Sequence, residues 1–165
     1  KRKMATDENG EEYEDNGERA IFFARGVLET VKKLRWSPEV IHCQGWMGYI
    51  VPLFIKTAYK DEPTFAGTKI VTSIFSQGLT KKIGDNFKRC LEFKDITEES
   101  LSDYKDDFDF IEMCKLAIDH SDAAVEAEAD AYPELIEYAK SKGIEVLPYS
   151  GEGANDAYKA FYESL

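Results

Sequence analysis

Apolar residues recur at helical spacing from Glu18 to Leu34, where Ile21, Phe22, Val27, Leu28, Val31 and Leu34 are set among polar positions such as Glu18 and Glu29. This spacing predicts an amphipathic helix with Asn16 as its candidate N-cap. Ahead of it, Met4 to Gly17 holds many acidic groups, two glycines and little apolar pattern, and reads as a surface loop. Ser37-Pro38 breaks the helix, and Val40 to Cys43 reads as a short buried strand. Trp46 to Tyr59 reads as a second helix, which tolerates Pro52 only near its first turns. After a polar connector from Lys60 to Gly67, Thr68 to Phe75 is β-branched and apolar along its length, as expected of a strand covered on both faces.

From Ser76 to Asp107 the pattern weakens around Gly78, Gly84, the basic pair Lys81-Lys82 and an acidic cluster at Asp103 to Asp107. Helical spacing returns with Phe108, Ile111, Met113, Cys114, Leu116 and Ile118. Ala123 to Ala127 is a small-residue strand candidate, Ala131 to Lys142 a helix stopped by Gly143, Ile144 to Leu147 a last strand and Asp156 to Leu165 a terminal helix. Strands alternating with helices of this length imply βαβ units, an α/β fold and a parallel sheet.

Composition narrows the function classes. The 165 residues form one domain large enough for a substantial core, and 43% hydrophobic with 13% aromatic residues is ordinary for a globular chain. With 21 basic against 32 acidic residues the net charge is −11, which repels phosphate backbones and anionic lipid, so neither nucleic acid nor a membrane is expected as a partner. Cys43, Cys90 and Cys114 are an odd set without CxxC spacing, which argues against a disulfide framework or a zinc site and points to a reducing, cytoplasmic setting. No metal or cofactor is expected. The chain opens on Lys1-Arg2-Lys3 rather than Met and reads as part of a longer polypeptide.

The richest stretch for chemistry is His42-Cys43-Gln44-Gly45-Trp46-Met47-Gly48, where a strand passes into a helix; open α/β sheets bind ligands at such carboxyl ends. It carries neither GxGxxG nor GxxxxGK[ST], so no phosphate loop is indicated. Gly45 suits either a close approach to a ligand or a simple turn. His42 has the chemistry of an acid or base, yet a lone histidine ending a buried strand is more often a hydrogen-bonded core residue. Trp46 is either a stacking platform for a sugar or base, or a core aromatic. Cys43 reads as a packed thiol, and His120 as a partner of a helix C-terminus. The acidic runs Asp106-Asp107-Asp109 and Glu126-Glu128-Asp130 read as solvated faces, and Tyr158, Phe161 and Tyr162 as the packing stripe of the last helix.

The succession DENGEEYEDNGERAIFFARGVLETVKKLRWSPEVIHCQGWMGYIVPLFIK, followed by DEPTFAGTKIVTSIF, resembles the middle of the amino-terminal domain of bacterial glycogen synthases and plant starch synthases. The likeness runs from Asp7 to about Phe75 and resumes weakly from Phe110 to Val125. Asp15, Asn16, Glu18 and Arg19 match the family's DN-x-ER, Trp36 and Pro38 its W-x-PD, and His42 and Trp46 its H-x-HDWH. The resemblance implies a Rossmann-like domain of a retaining, two-domain GT-B glycosyltransferase that moves glucose from ADP-glucose or UDP-glucose onto an α-1,4-glucan. The family's Lys-x-Gly-Gly loop and its second domain, with the Arg and Lys that hold the pyrophosphate, have no counterpart in residues 1–165.

Departures inside the resemblance are as informative. Where the family has HDWH, this chain has Gln44-Gly45-Trp46-Met47; where a strand ends in IHN, it has Ile74-Phe75-Ser76, and the following turn keeps only Gln77-Gly78. Losing one hydrogen bond to a transition state costs on the order of 3 kcal/mol, and several polar groups are replaced at once. Gly45, Met47, Phe75 and Ser76 therefore mark degenerate catalytic positions, while His42, Gln44, Trp46 and Gln77 are the candidate substrate-binding residues. The expectation is an inactive accessory domain that binds a nucleotide sugar, a glucan or a true synthase; the rival is an active glucosyltransferase relying on residues or a second domain elsewhere. If the family's first three strands are missing, the strand that pairs with them becomes an open edge, which adds an expectation of homo-oligomers or domain exchange.

Overall fold

The computed structural model describes residues 3–165, apart from the side chain of Glu152; the basic opening Lys1-Arg2 lies outside the described residues. Strands β1 (Val40–Cys43), β2 (Lys69–Ile74), β3 (Ala123–Glu126) and β4 (Glu145–Leu147) form one sheet in that order, every pair parallel. Parallel neighbours require crossover connections. These carry α2 (Val51–Lys56) between β1 and β2, α3 (Phe87–Leu91) and α4 (Phe110–Asp119) between β2 and β3, and α5 (Pro133–Ser141) between β3 and β4. Helix α1 (Asn16–Lys33) precedes the sheet and α6 (Ala154–Ser164) follows it. The result is the α/β, Rossmann-like arrangement that the alternation of patterns implies.

Residue parity assigns the two faces of the sheet. Cys43, Ile70, Ile74 and Ala124 belong to the main core with Ala20, Ala24 and Leu28 of α1, Leu53 and Phe54 of α2, Met113 and Leu116 of α4, and Leu135 of α5. Val71, Ala123 and Val125 point the other way and form a smaller cluster with Phe161 of α6. Strand β2 is buried from Ile70 to Ile74, in keeping with its apolar run.

Several local expectations need correction. The helix expected from Trp46 to Tyr59 is a 3-10 turn over Trp46–Gly48 followed by the six-residue α2; Pro52 sits in the first turn of α2 and so restricts how far back the helix can extend. Asn16 does not cap α1. It is the first helical residue, 4% exposed, and its amide donates to the Ala5 carbonyl at 2.9 Å while its side-chain oxygen accepts from Arg19 at 2.8 Å. The end of the expected surface loop is thereby tied into the fold. The buried stripe of α1 is the small-residue set Gly17, Ala20 and Ala24 with Leu28, whereas Phe22 is 81% exposed and Leu34 68%. The helix comes close to its neighbours here: a Cβ on Gly17 would meet Ile83 and Phe87 at 2.7 Å. Phe108 is buried but lies before α4, because Asp109 caps that helix by accepting the Glu112 N–H at 2.8 Å.

Candidate functional site

The turn after β1 is set by Gly45, whose φ of 71° lies in the left-handed region that favours glycine. It delivers Trp46 inward. The indole is only 7% exposed, and the Arg19 guanidinium lies 5.9 Å from its ring centroid. Trp46 therefore forms a wall, with little of its face projecting as a platform.

Beside that wall, Gly45, Trp46, Phe75, Ser76, Gln77, Gly78, Phe110 and Glu128 enclose a cleft of about 320 Å³ at the carboxyl ends of β1, β2 and β3. Phe110 reaches it because Gly78 has no side chain: a Cβ there would stand 2.1 Å from the ring. Among the described residues, Glu128 supplies the only charged side chain of the lining. Its Oε2 accepts the Ser76 backbone N–H at 2.7 Å and the Ser76 hydroxyl at 2.6 Å. These bonds, the hydroxyl first, hold its carboxyl below the usual glutamate range and keep it ionised near neutrality. Glu128 escaped the sequence reading because it stands in an acidic run whose members are individually unremarkable. Its separation of 52 positions from Ser76 is bridged only by the pairing of β2 with β3.

His42 and Gln44 open elsewhere, into a groove of about 570 Å³ shared with Asn155, Tyr158, Lys159, Tyr162 and Glu163 of α6. His42 Nδ1 lies 2.5 Å from the Tyr162 hydroxyl and Nε2 lies 2.7 Å from the Ser73 hydroxyl. Both ring nitrogens are thus engaged. Burial lowers the imidazole pKa and favours the neutral ring. Met47 points into a third groove, an open apolar surface of about 640 Å³ on α1 that includes Phe22, Leu34 and Trp36.

The eight residues singled out from sequence therefore divide among three places. Gly45, Trp46, Phe75, Ser76 and Gln77 share the cleft, His42 and Gln44 the α6 groove, and Met47 the face of α1. Cys43 is buried, and burial pushes its thiol up to about 12, so it is inert as a nucleophile. His120 donates from Nδ1 to the Leu116 carbonyl at 2.8 Å, and its pKa is lowered, chiefly by burial. It serves the helix end as a neutral donor rather than as the expected imidazolium. Among the described residues, no group of three or more His, Cys, Asp or Glu is placed to hold a metal ion, and no helix is long and apolar enough to cross a membrane.

A parallel sheet with helices on both faces and a cleft outside the carboxyl ends of its strands defines a Rossmann-like domain. Comparison with known proteins gives the family. The sequence matches the family described as the starch synthase catalytic domain over residues 2–147, and the chain belongs to that family. It is 28% identical over 138 residues to a glycogen synthase of Aeromonas salmonicida, covering 83% of this chain and 28% of that protein. Glycogen synthases of Chlorobium luteolum (65 residues, 39% of this chain, 13% of that protein) and Clostridium perfringens (60 residues, 36% and 12%) are each 45% identical over the shorter stretch. The chain thus spans less than a third of the length of these relatives. Helix α6 lies beyond the matched residues.

Proposed function

We propose that this domain is a catalytically degenerate member of the starch synthase family, acting in the cytoplasm as a binding or accessory unit of glucan metabolism rather than transferring glucose itself. The single observation behind this reading is the lining of the cleft. Where the family pattern places His and Asp in HDWH and His in IHN, the cleft has Gly45, Phe75 and Ser76, with Gln44 and Met47 directed into other grooves. Phe75 cannot hydrogen-bond a sugar hydroxyl, so the position of the IHN histidine offers no polar side chain to a reacting sugar. The ligands in this reading are an α-1,4-glucan or a nucleotide sugar, ADP-glucose or UDP-glucose, with Trp46 and His42 as remnants of the ancestral pocket. In this reading residues 1–165 form part of one Rossmann-like domain.

The test is transfer of labelled glucose from ADP-glucose or UDP-glucose to glycogen by the full polypeptide that contains this domain. The expected result is no incorporation attributable to this cleft. Clear incorporation that is abolished by Gln77→Ala, at an exposed position of the cleft, establishes the rival reading, an active glucosyltransferase.

The same proposal includes self-association. Among the described residues β1 stands at the edge of the sheet, and strand edges recruit partners. Sedimentation velocity across a hundredfold range of concentration should show dimers or exchanged domains. A strictly monomeric species throughout overturns this part.

A further inference from the structure

We infer that Glu128 makes the cleft a site for a neutral sugar ring and turns it against nucleotide sugars. This rests on the reading of the domain as a glucan- or nucleotide-sugar-binding unit and says which of the two ligand classes this cleft accepts.

The argument starts from what the lining offers. Trp46, Phe75 and Phe110 supply apolar walls, Gly45 has open space where a side chain would stand, and Ser76, Gln77 and Glu128 supply hydrogen-bonding groups. Apolar walls with a few fixed polar groups are the usual make-up of a small-molecule site, and about 320 Å³ is at the lower end of the ~300–1,000 Å³ typical of such sites. The size admits one sugar ring.

The charge is more selective than the size. Both bonds from Ser76 fall on Oε2 of Glu128, and among the described residues no protein donor reaches Oε1. The carboxylate is therefore held in place by one oxygen while the other keeps its capacity to accept. Sugar hydroxyls are donors, and a hydrogen bond to an ionised acceptor is stronger than one between neutral groups. A diphosphate offers no donor when ionised, and among the described residues the lining has no Lys, Arg or His to pair with it. An anion entering the cleft would face a fixed negative charge within a chain whose net charge is −11. The same carboxylate that rewards a hydroxyl repels a diphosphate.

Two-dimensional NMR of the labelled 165-residue chain, titrated separately with maltoheptaose and ADP-glucose, tests this. Maltoheptaose should give saturable shifts at the amides of Phe75 to Gly78 and Glu128, and ADP-glucose should give none there at equal concentration. Glu128→Gln keeps an acceptor for Ser76 but removes the charge. It should weaken maltoheptaose by about tenfold, the order of one charge-assisted hydrogen bond. It should also bring ADP-glucose binding into the measurable range. Gln77→Lys, a change at an exposed position that leaves the core untouched, should likewise admit ADP-glucose.

ADP-glucose binding at those amides as tightly as maltoheptaose, or an unchanged preference in both variants, overturns the charge selection while leaving the domain a sugar-binding unit. Absence of shifts with either ligand overturns both the selection and the reading on which it rests.

Discussion

On one side of the sheet, Cys43, Ile70, Ile74 and Ala124 join a cluster that takes in α1, α2, α4 and α5; on the other, Val71, Ala123 and Val125 meet one helix, α6, through Phe161. The strands are the same, and alternate residues supply the two faces. The first face also carries a polar contact, Thr72 to Ser121 at 2.7 Å, but that pair is closed off within the protein, with both residues buried. On the second face, Ser73 and His42 form a polar strip that is completed by the Tyr162 hydroxyl and opens into a groove. Stability is therefore concentrated on the first face, whereas the second is a docking seam for a helix that lies outside the family match. This difference separates what holds the fold from what can move without dissolving it.

The largest expected effect follows from truncating one aromatic on each side. Phe54 is fully buried and touches the rings of Tyr59 and Phe93 within the main core. Phe54→Ala should lower the free energy of unfolding by about 3–5 kcal/mol, read from urea denaturation. Phe161 is nearly as buried, at 5% exposed, but its cluster is small and its helix terminal. Phe161→Ala should move the urea midpoint much less, while amide protection across Ala154–Ser164 collapses in hydrogen exchange. Equal losses of global stability from the two variants would show the faces to be one cooperative unit and end the distinction.

The two faces also differ in how plainly the sequence announces them. Strand β2 is legible because β-branched and apolar residues dominate from Ile70 to Ile74, with Ser73 the exception, and β3 because Ala123 to Val125 are small and apolar between two helices. The break at Ser37-Pro38 and the stop at Gly143, whose φ is 74°, are equally local signals. Helix α1 is legible as a helix but not in its orientation. Its large apolar residues suggest a buried Phe22, whereas contact with Ile83 and Phe87 selects the small side of the helix, a choice made by distant residues. The cleft shows the same limit. Gly45, Phe75 and Ser76 could be singled out from the strand ends, but the binding of Ser76 by Glu128 depends on the order of the sheet. The engagement of His42 by Tyr162 spans 120 positions and depends on α6 crossing to the far face, which no local pattern records.

A smaller effect sharpens the comparison by using His42 as a reporter on the α6 seam. In the unfolded chain an imidazole titrates near pH 6.5, and in the folded chain burial beneath α6 holds that of His42 lower. Between the two values the unfolded chain binds more protons, so stability from this group is complete above about pH 6.5 and is lost as the pH falls through the lowered range. His120 acts in the same direction at the end of α4, on the other side of the sheet, because its pKa is also lowered. Glu128 acts in a different window: its depressed carboxyl contributes stability that is lost only as the pH falls below the ordinary value of 4.5. Urea midpoints measured at pH 7.5, 6.5 and 5.5 should therefore decline toward the acid end. His42→Gln should flatten part of that decline, and His42→Gln with His120→Gln should flatten more of it. The decisive readout is hydrogen exchange: acid should release Ala154–Ser164 first in the parent protein, and His42→Gln should remove that pH dependence from α6 while His120→Gln alone leaves it in place. A pH dependence of α6 that survives His42→Gln would mean that His42 merely rests against the seam and does not govern it.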